Sequence, residues 1–270
     1  MDPRLGPVAI PGLPDEDLPG KLIVIEGTDG VGRSTQTRLL RNWLESSGLA
    51  VYDTGLSRGR LAGNHIQKAK AGHTMGRRTQ ALYYATDFAD RLEMELIPAM
   101  RAGYVVLTDR YVYSLRARAM VRGMEAEWVE RLYQFAPTPD IVLYLRISMD
   151  KLIPRVLSSG GFDYWESGMD YLRESSLYDS FVTHQSAVLE HFEKLATENN
   201  FRVIDAEQSI REVFDDLQEE VEEIVAEMAG VQEMSDFVAP IIPQPRPPEE
   251  ERRSVADSLR DLLSSFLEDS

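Results

Sequence analysis

The chain has 270 residues, 43% hydrophobic and 27% charged, with a formal net charge of −16 and no cysteine. That length holds one α/β domain with extensions and buries a full core unaided, and the composition excludes wholesale disorder, collagen and a membrane bundle. The negative balance argues against nucleic acid and anionic membranes as main partners, while the missing cysteines remove disulfides, thiolate metal sites and thiol nucleophiles.

Residues 1–20 are proline-rich and carry acids where a secretory signal needs a basic end and an apolar stretch, so they read as a flexible leader. With no apolar run near the roughly 18 residues of a membrane span, a cytoplasmic protein is expected. KLIVIEG (Lys21 to Gly27) is a β-branched run stopped by glycine, the pattern of a buried parallel strand. Similar runs recur at Leu49 to Asp53, Tyr104 to Asp109, Asp140 to Leu145 and Phe201 to Asp205. Helical spacing of apolar residues falls at Ser34 to Glu45, Gln80 to Ala102, Leu177 to Asn199 and Gln208 to Met228. The alternation predicts an α/β fold, a parallel sheet covered by helices on both faces. Its ligands should lie at the carboxyl ends of the strands, near Gly27, Asp53, Asp109 and the segment after Leu145.

Residues 21–228 therefore form the expected domain. A proline-rich linker follows at 229–249, and residues 250–270 place Val255, Leu259, Leu262, Leu263 and Phe266 on one helical stripe. That helix is expected to dock on its own domain or on the mate of a dimer, with recognition of a foreign partner as the sharper alternative. Residues 207–270 hold 18 acids and 5 bases, a net of −13, which leaves only −3 for the rest of the chain. The acidity is thus a solvated helix face and tail, and the core can still gather arginines around an anion.

The strongest motif is GTDGVGRS, Gly27 to Ser34, between a strand and a helix. It matches GxxxxGK[ST] except that Arg33 replaces the lysine. Glycines let the loop curl its N–H groups around phosphates, and the helix that follows adds its positive end. Gly27, Thr28, Asp29, Gly30, Val31, Gly32, Arg33, Ser34 and Thr35 are the expected phosphate cradle of ATP, with the Ser34 hydroxyl on Mg²⁺. Arginine is longer, planar and permanently charged, so either it serves with altered geometry or the loop only binds.

IEGTDGVGRSTQ, LYYATDFADRLEMELIPAMRAGYVVLTDRYVYS, PDIVLYLRI and VIDAEQSIREVFDDL, in that order, resemble the successive blocks of the thymidylate kinases, within the nucleoside-monophosphate kinases of the P-loop NTPase fold. The resemblance covers about residues 21–226. It implies transfer of the γ-phosphoryl of ATP to dTMP with Mg²⁺, on a five-stranded parallel sheet, in a homodimer. It also places Asp29 near the acceptor sugar and metal, Arg110 on the acceptor phosphate, and Asp109 beside metal and water. Bringing two anions together calls for an arginine fork at a strand end.

Four places depart from the family. Alignment on Pro98 puts the family's FxxDR on Tyr84 to Phe88, so Tyr84 keeps an aromatic plate for the base while Phe88 replaces the arginine that reads it. After the second strand the family's arginine falls on Gly55, with Arg58 and Arg60 as neighbouring candidates for the acceptor phosphate. Arg116 and Arg118, beyond the DR pair, either line the site or lie exposed. The lid, Arg155 to Arg173, has arginines only at its ends, with Gly160 and Gly161 as a hinge and Phe162, Tyr164 and Trp165 for apolar closure. Arg33 is then the guanidinium that the lid has shed.

Three rival readings remain beside dTMP phosphorylation. A different monophosphate is the acceptor, or the chain is a nucleoside kinase with Glu26 as base, or it is a nucleotide-binding regulator without turnover. His65, His73, His184 and His191 read as surface residues.

Overall fold

The computed structural model describes residues 18–59, 61–73, 75–174, 176–226 and 228, and of Asn64 the backbone alone. All five expected strands form: β1 (Lys21–Glu26), β2 (Val51–Gly55), β3 (Val105–Asp109), β4 (Ile141–Arg146) and β5 (Arg202–Asp205). They make one sheet in the order β2-β3-β1-β4-β5, every neighbouring pair parallel. The long crossovers of parallel pairs supply the helices that cover the sheet. The first strand in the chain is the middle one, so the loop after it emerges between the ends of β3 and β4. In register, Ile25 lies beside Asp109 and Leu143, and Gly55 also lies beside Asp109.

Helix α1 (Arg33–Ser46) follows the glycine loop and α2 (Gly63–Ala71) follows β2. The expected long helix before β3 is continuous but changes pitch, from α3 (Arg77–Arg91) through a π turn (Leu92–Leu96) to α4 (Ile97–Arg101). Pro98 explains the change, because it lacks an N–H for the carbonyl four residues back and its ring crowds that carbonyl. Next come α5 (Val112–Val121), α6 (Ala126–Tyr133), α7 (Met149–Ser159), α8 (Leu177–Glu198) and α9 (Ile210–Val225). Ser176 caps α8 through the Asp179 N–H, and Ser209 with Glu212 forms a capping box that starts α9 two residues later than periodicity indicated.

Helices α2, α5 and α6 carried no stripe long enough to stand out in the sequence. Helix α5 is the extreme case, buried at Val112, Tyr113, Ser114, Leu115, Ala117 and Ala119. Helix α7, by contrast, has a stripe in Met149, Leu152, Ile153, Val156 and Leu157 and runs to Ser159, so the first residues of the expected lid, from Arg155, are helix. One apolar cluster joins Leu22, Val24, Val106 and Tyr144 of the sheet to Phe88, Leu115 and Phe192 of α3, α5 and α8. Helices α1 and α9 pack against each other and against the sheet strands, with Trp43, Leu217 and Val221 fully buried. The leader, the linker and the amphipathic C-terminal helix expected from sequence lie outside the described residues.

Candidate active site

The glycine loop has the backbone its sequence demands. Gly30 adopts φ 82°, and a Cβ there would stand 2.6 Å from Val156 Cγ2 of α7, so a side chain is excluded twice over. Gly32, at φ 110°, starts α1 with no side-chain cap, which leaves first-turn N–H groups for an anion. Thr28 and Val31 are buried beneath the loop, and the Val31 carbonyl accepts from Arg155 Nη1 at 3.1 Å. Thr35 closes the first turn by donating its N–H to the Gly32 carbonyl.

Arg33 turns back into this loop. Its Nη1 donates to the carbonyls of Gly27 and Thr28, and its Nε donates to Asp109 Oδ1 at 2.7 Å. Ser34 Oγ donates to the other oxygen of the same carboxylate at 3.1 Å. The two residues expected at a metal are therefore adjacent, one hydroxyl and one carboxylate, both hard oxygen donors. Among the described residues no three His, Asp or Glu side chains gather in a metal-binding group. A hydroxyl and a single carboxylate suit Mg²⁺, which keeps its waters and takes phosphate oxygens.

Asp29 is the second junction. It accepts from Arg110 Nη2 and from Arg118 Nη2 at 2.8 Å, with Arg33 Nη2 3.7 Å away. Arg110 holds φ 75°, an uncommon conformation for a residue with a side chain, fixed by its N–H on Ile25 O and its carbonyl on Thr108 Oγ1. The fold thus joins Asp29, Arg33, Ser34, Asp109 and Arg110 as the sequence indicated, and it separates the open pair by partner: Arg118 reaches Asp29, whereas Arg116, equally buried, pairs with Glu130.

Other expectations are corrected. Phe88 is fully buried and packs edge-on against Tyr111 at 5.1 Å and close to Phe135, so it is a core residue rather than a base contact. An apolar ring in place of a guanidinium follows the hydrophobic side of α3 inward. Arg58 is half exposed and lies 3.7 Å from Asp53, with its guanidinium beside Gly55, the residue next to Asp109 in the sheet. Its loop is held by Asp87, which accepts from the N–H groups of Ser57 and Gly59 at 2.9 Å each and from Arg91. Arg60 lies outside the described residues.

Glu26 cannot serve as an open base. It is fully buried, accepting from the N–H groups of Tyr111 and Ser114 and from the Ser114 hydroxyl, and burial pushes its carboxyl up to about 7 against those hydrogen bonds. It fastens the end of β1 to the start of α5. His184 is not a surface residue either. Its ring lies 2.8 Å from the Tyr171 hydroxyl, and burial, with Arg122 and Arg118 nearby, pushes its pKa down to about 3.

Tyr84 is buried and borders a cavity of about 20 Å³ shared with Asp29, Gln80, Arg118 and Trp165. Gln80, Arg122 and His184 escaped the sequence reading, because a lone polar residue on a helix reveals no partner. The segment after Gly160 is anchored: Arg122 pairs with both oxygens of Asp170 at 2.8 and 3.0 Å and with the Trp165 carbonyl. The aromatics of this segment have partners: Phe162 packs against Phe181, Tyr164 stacks on His73, and Trp165 Nε1 donates to the Lys70 carbonyl.

A middle strand running into a glycine loop and an uncapped helix, with a carboxylate from the next strand beside the helix's first hydroxyl, defines a P-loop nucleotide-binding protein of the α/β class. Residues 25–217 match the family model of thymidylate kinase, and the chain belongs to that family. It is 36% identical over 196 residues to a "Probable thymidylate kinase 2" of Saccharolobus solfataricus, covering 72% of this chain and 92% of that one. A "Probable thymidylate kinase" of Pyrococcus abyssi is 31% identical, covering 73% of this chain and 94% of its own. The "Thymidylate kinase" of Desulfotalea psychrophila is 36% identical over 144 residues, 53% of this chain and 71% of its own. Among the described residues no helix is long and apolar enough to cross a membrane.

Proposed function

We propose that the protein transfers the γ-phosphoryl group of ATP to the 5′-phosphate of dTMP, giving dTDP and ADP. The observation that carries this reading is the tie between the phosphate loop and the end of β3, Arg33 with Asp109 and Asp29 with Arg110, which puts donor and acceptor grips in one place. The N–H groups of residues 27–34 hold the donor phosphates, with Thr35 beside them in the first turn of α1. Ser34 and Asp109 hold Mg²⁺, which when bound neutralises phosphate charge. Arg33 and Arg110 flank the transferring group and Asp29 faces the acceptor, while Tyr84 offers a face to the base. No general base is required, since the acceptor phosphate is already a nucleophile and catalysis is alignment and charge neutralisation.

The burial of Glu26 counts against a nucleoside kinase, and the burial of Phe88 counts against a part for it in base selection. A homodimer in the cytoplasm belongs to the same reading and rests on the family resemblance. The test is ADP release from Mg·ATP with dTMP, dUMP, dCMP, dGMP and thymidine as acceptors. Turnover is expected to be fastest with dTMP. ATP binding without turnover of any acceptor would overturn the reading in favour of a regulator.

A further inference from the structure

We propose that Arg118 is a further substrate-binding residue, which takes the 5′-phosphate of the acceptor together with Arg110. The inference rests on the functional reading above. Three arginines on one stretch of chain show the contrast that carries it. Arg122 is saturated, spending its Nε, Nη1 and Nη2 on Asp170, the Arg118 carbonyl and the Trp165 carbonyl, as a structural guanidinium does. Arg116, at 21% exposure no more open than Arg118, pairs with the exposed Glu130 and has no contact with the phosphate loop among the described residues. Arg118, one turn before Arg122, has a single acceptor among the described residues, Asp29, although its side chain is only 22% exposed.

Arg110 is in the same condition, with Asp29 as the one acceptor for its side chain among the described residues. A guanidinium carries five N–H donors, and two of them crowding one carboxylate leaves most of those donors unused. A phosphate supplies three oxygens and two charges, so it can replace Asp29 between both forks with better geometry. The local charge agrees: Arg33, Lys70, Arg110 and Arg118 stand against Asp29, Asp109 and Glu166, an excess of one positive charge before any substrate arrives. Arg118 also stands at the right point along the acceptor, since it borders the cavity that Tyr84 and Gln80 line while reaching the phosphate loop through Asp29.

The test is calorimetric binding of dTMP, thymidine and ADP to the full chain and its variants. Arg118→Ala should weaken dTMP on the order of 10-fold to 100-fold, as expected for losing a charge-assisted hydrogen bond, and leave thymidine and ADP within about twofold. Arg118→Lys should recover part of the dTMP affinity, because it restores charge without the fork. Arg118→Gln, which keeps the packed stem, gives the same comparison should the alanine variant not fold. Equal weakening of dTMP and thymidine, loss of ADP affinity, or no change in dTMP affinity would each overturn the assignment. A wild-type protein that binds neither dTMP nor thymidine would overturn the functional reading, and this inference with it.

Discussion

Glu26→Gln isolates the energetics of the buried carboxyl beneath the phosphate loop. The folded protein holds this group at about 7 against an ordinary 4.5, chiefly because burial penalises the charged form. The unfolded chain therefore releases its proton first, and the folded state binds more protons across the window between the two values. Stability falls as pH rises through that window, is fully present below about 4.5, and is lost above about 7. At about 1.4 kcal/mol per unit, the loss attributable to Glu26 is roughly 3 kcal/mol. Glutamine imitates the protonated acid: its carbonyl can accept the N–H groups of Tyr111 and Ser114, 2.9 and 3.1 Å from the present oxygen, and its amide can donate to Ser114 Oγ. The variant should escape the loss. Urea denaturation of both proteins at pH 5, 6, 7 and 8 checks this, with the stability difference moving by about 3 kcal/mol in favour of the variant from pH 5 to pH 8. His184 and His191 titrate in both proteins and cancel in the difference. Parallel stability profiles would refute the reasoning.

Arg33→Lys removes the fork that reaches Asp109 and two loop carbonyls at once, so kcat with Mg·ATP should fall about tenfold or more. Steady-state kinetics and ADP titration would show it, and unchanged values would end the idea that this guanidinium substitutes for the lid's. Arg122→Ala leaves Asp170 buried without its partner and should cost about 3–5 kcal/mol in denaturation experiments. His184, held down at about 3 against an ordinary 6.5, contributes an instability that grows as pH falls below 6.5. His184→Gln should flatten that acid limb by several kcal/mol, read as the difference between the two stability profiles.

The strands, the glycine loop and the strand-end DR pair were legible in the sequence because each depends on a few adjacent residues. A β-branched run cannot easily be anything but a buried strand when glycine stops it, and GTDGVGRS must curl wherever it stands. Strand ends gather at one edge of a parallel sheet, so Gly27 and Asp109 were bound to share that edge, and the strand order then made them neighbours. Helix α5 was not legible, since burial on several sides erases the stripe that marks a helix.

Side-chain partners were decided by the tertiary structure alone. Arg58, Arg116 and Arg118 are equivalent in sequence, yet one faces Asp53, one Glu130 and one the carboxylate at the heart of the site. Glu26 looked available as a base until the fold laid α5 across it, and His184 looked like a surface residue until Tyr171 and Arg122 closed over it. The physical reason is one of range. Backbone conformation and hydrophobic period are set by residues within a few positions, whereas the partner of a charge, and its burial, are set by whichever element the fold brings opposite, 80 or so residues away in the case of Asp29 and Arg110.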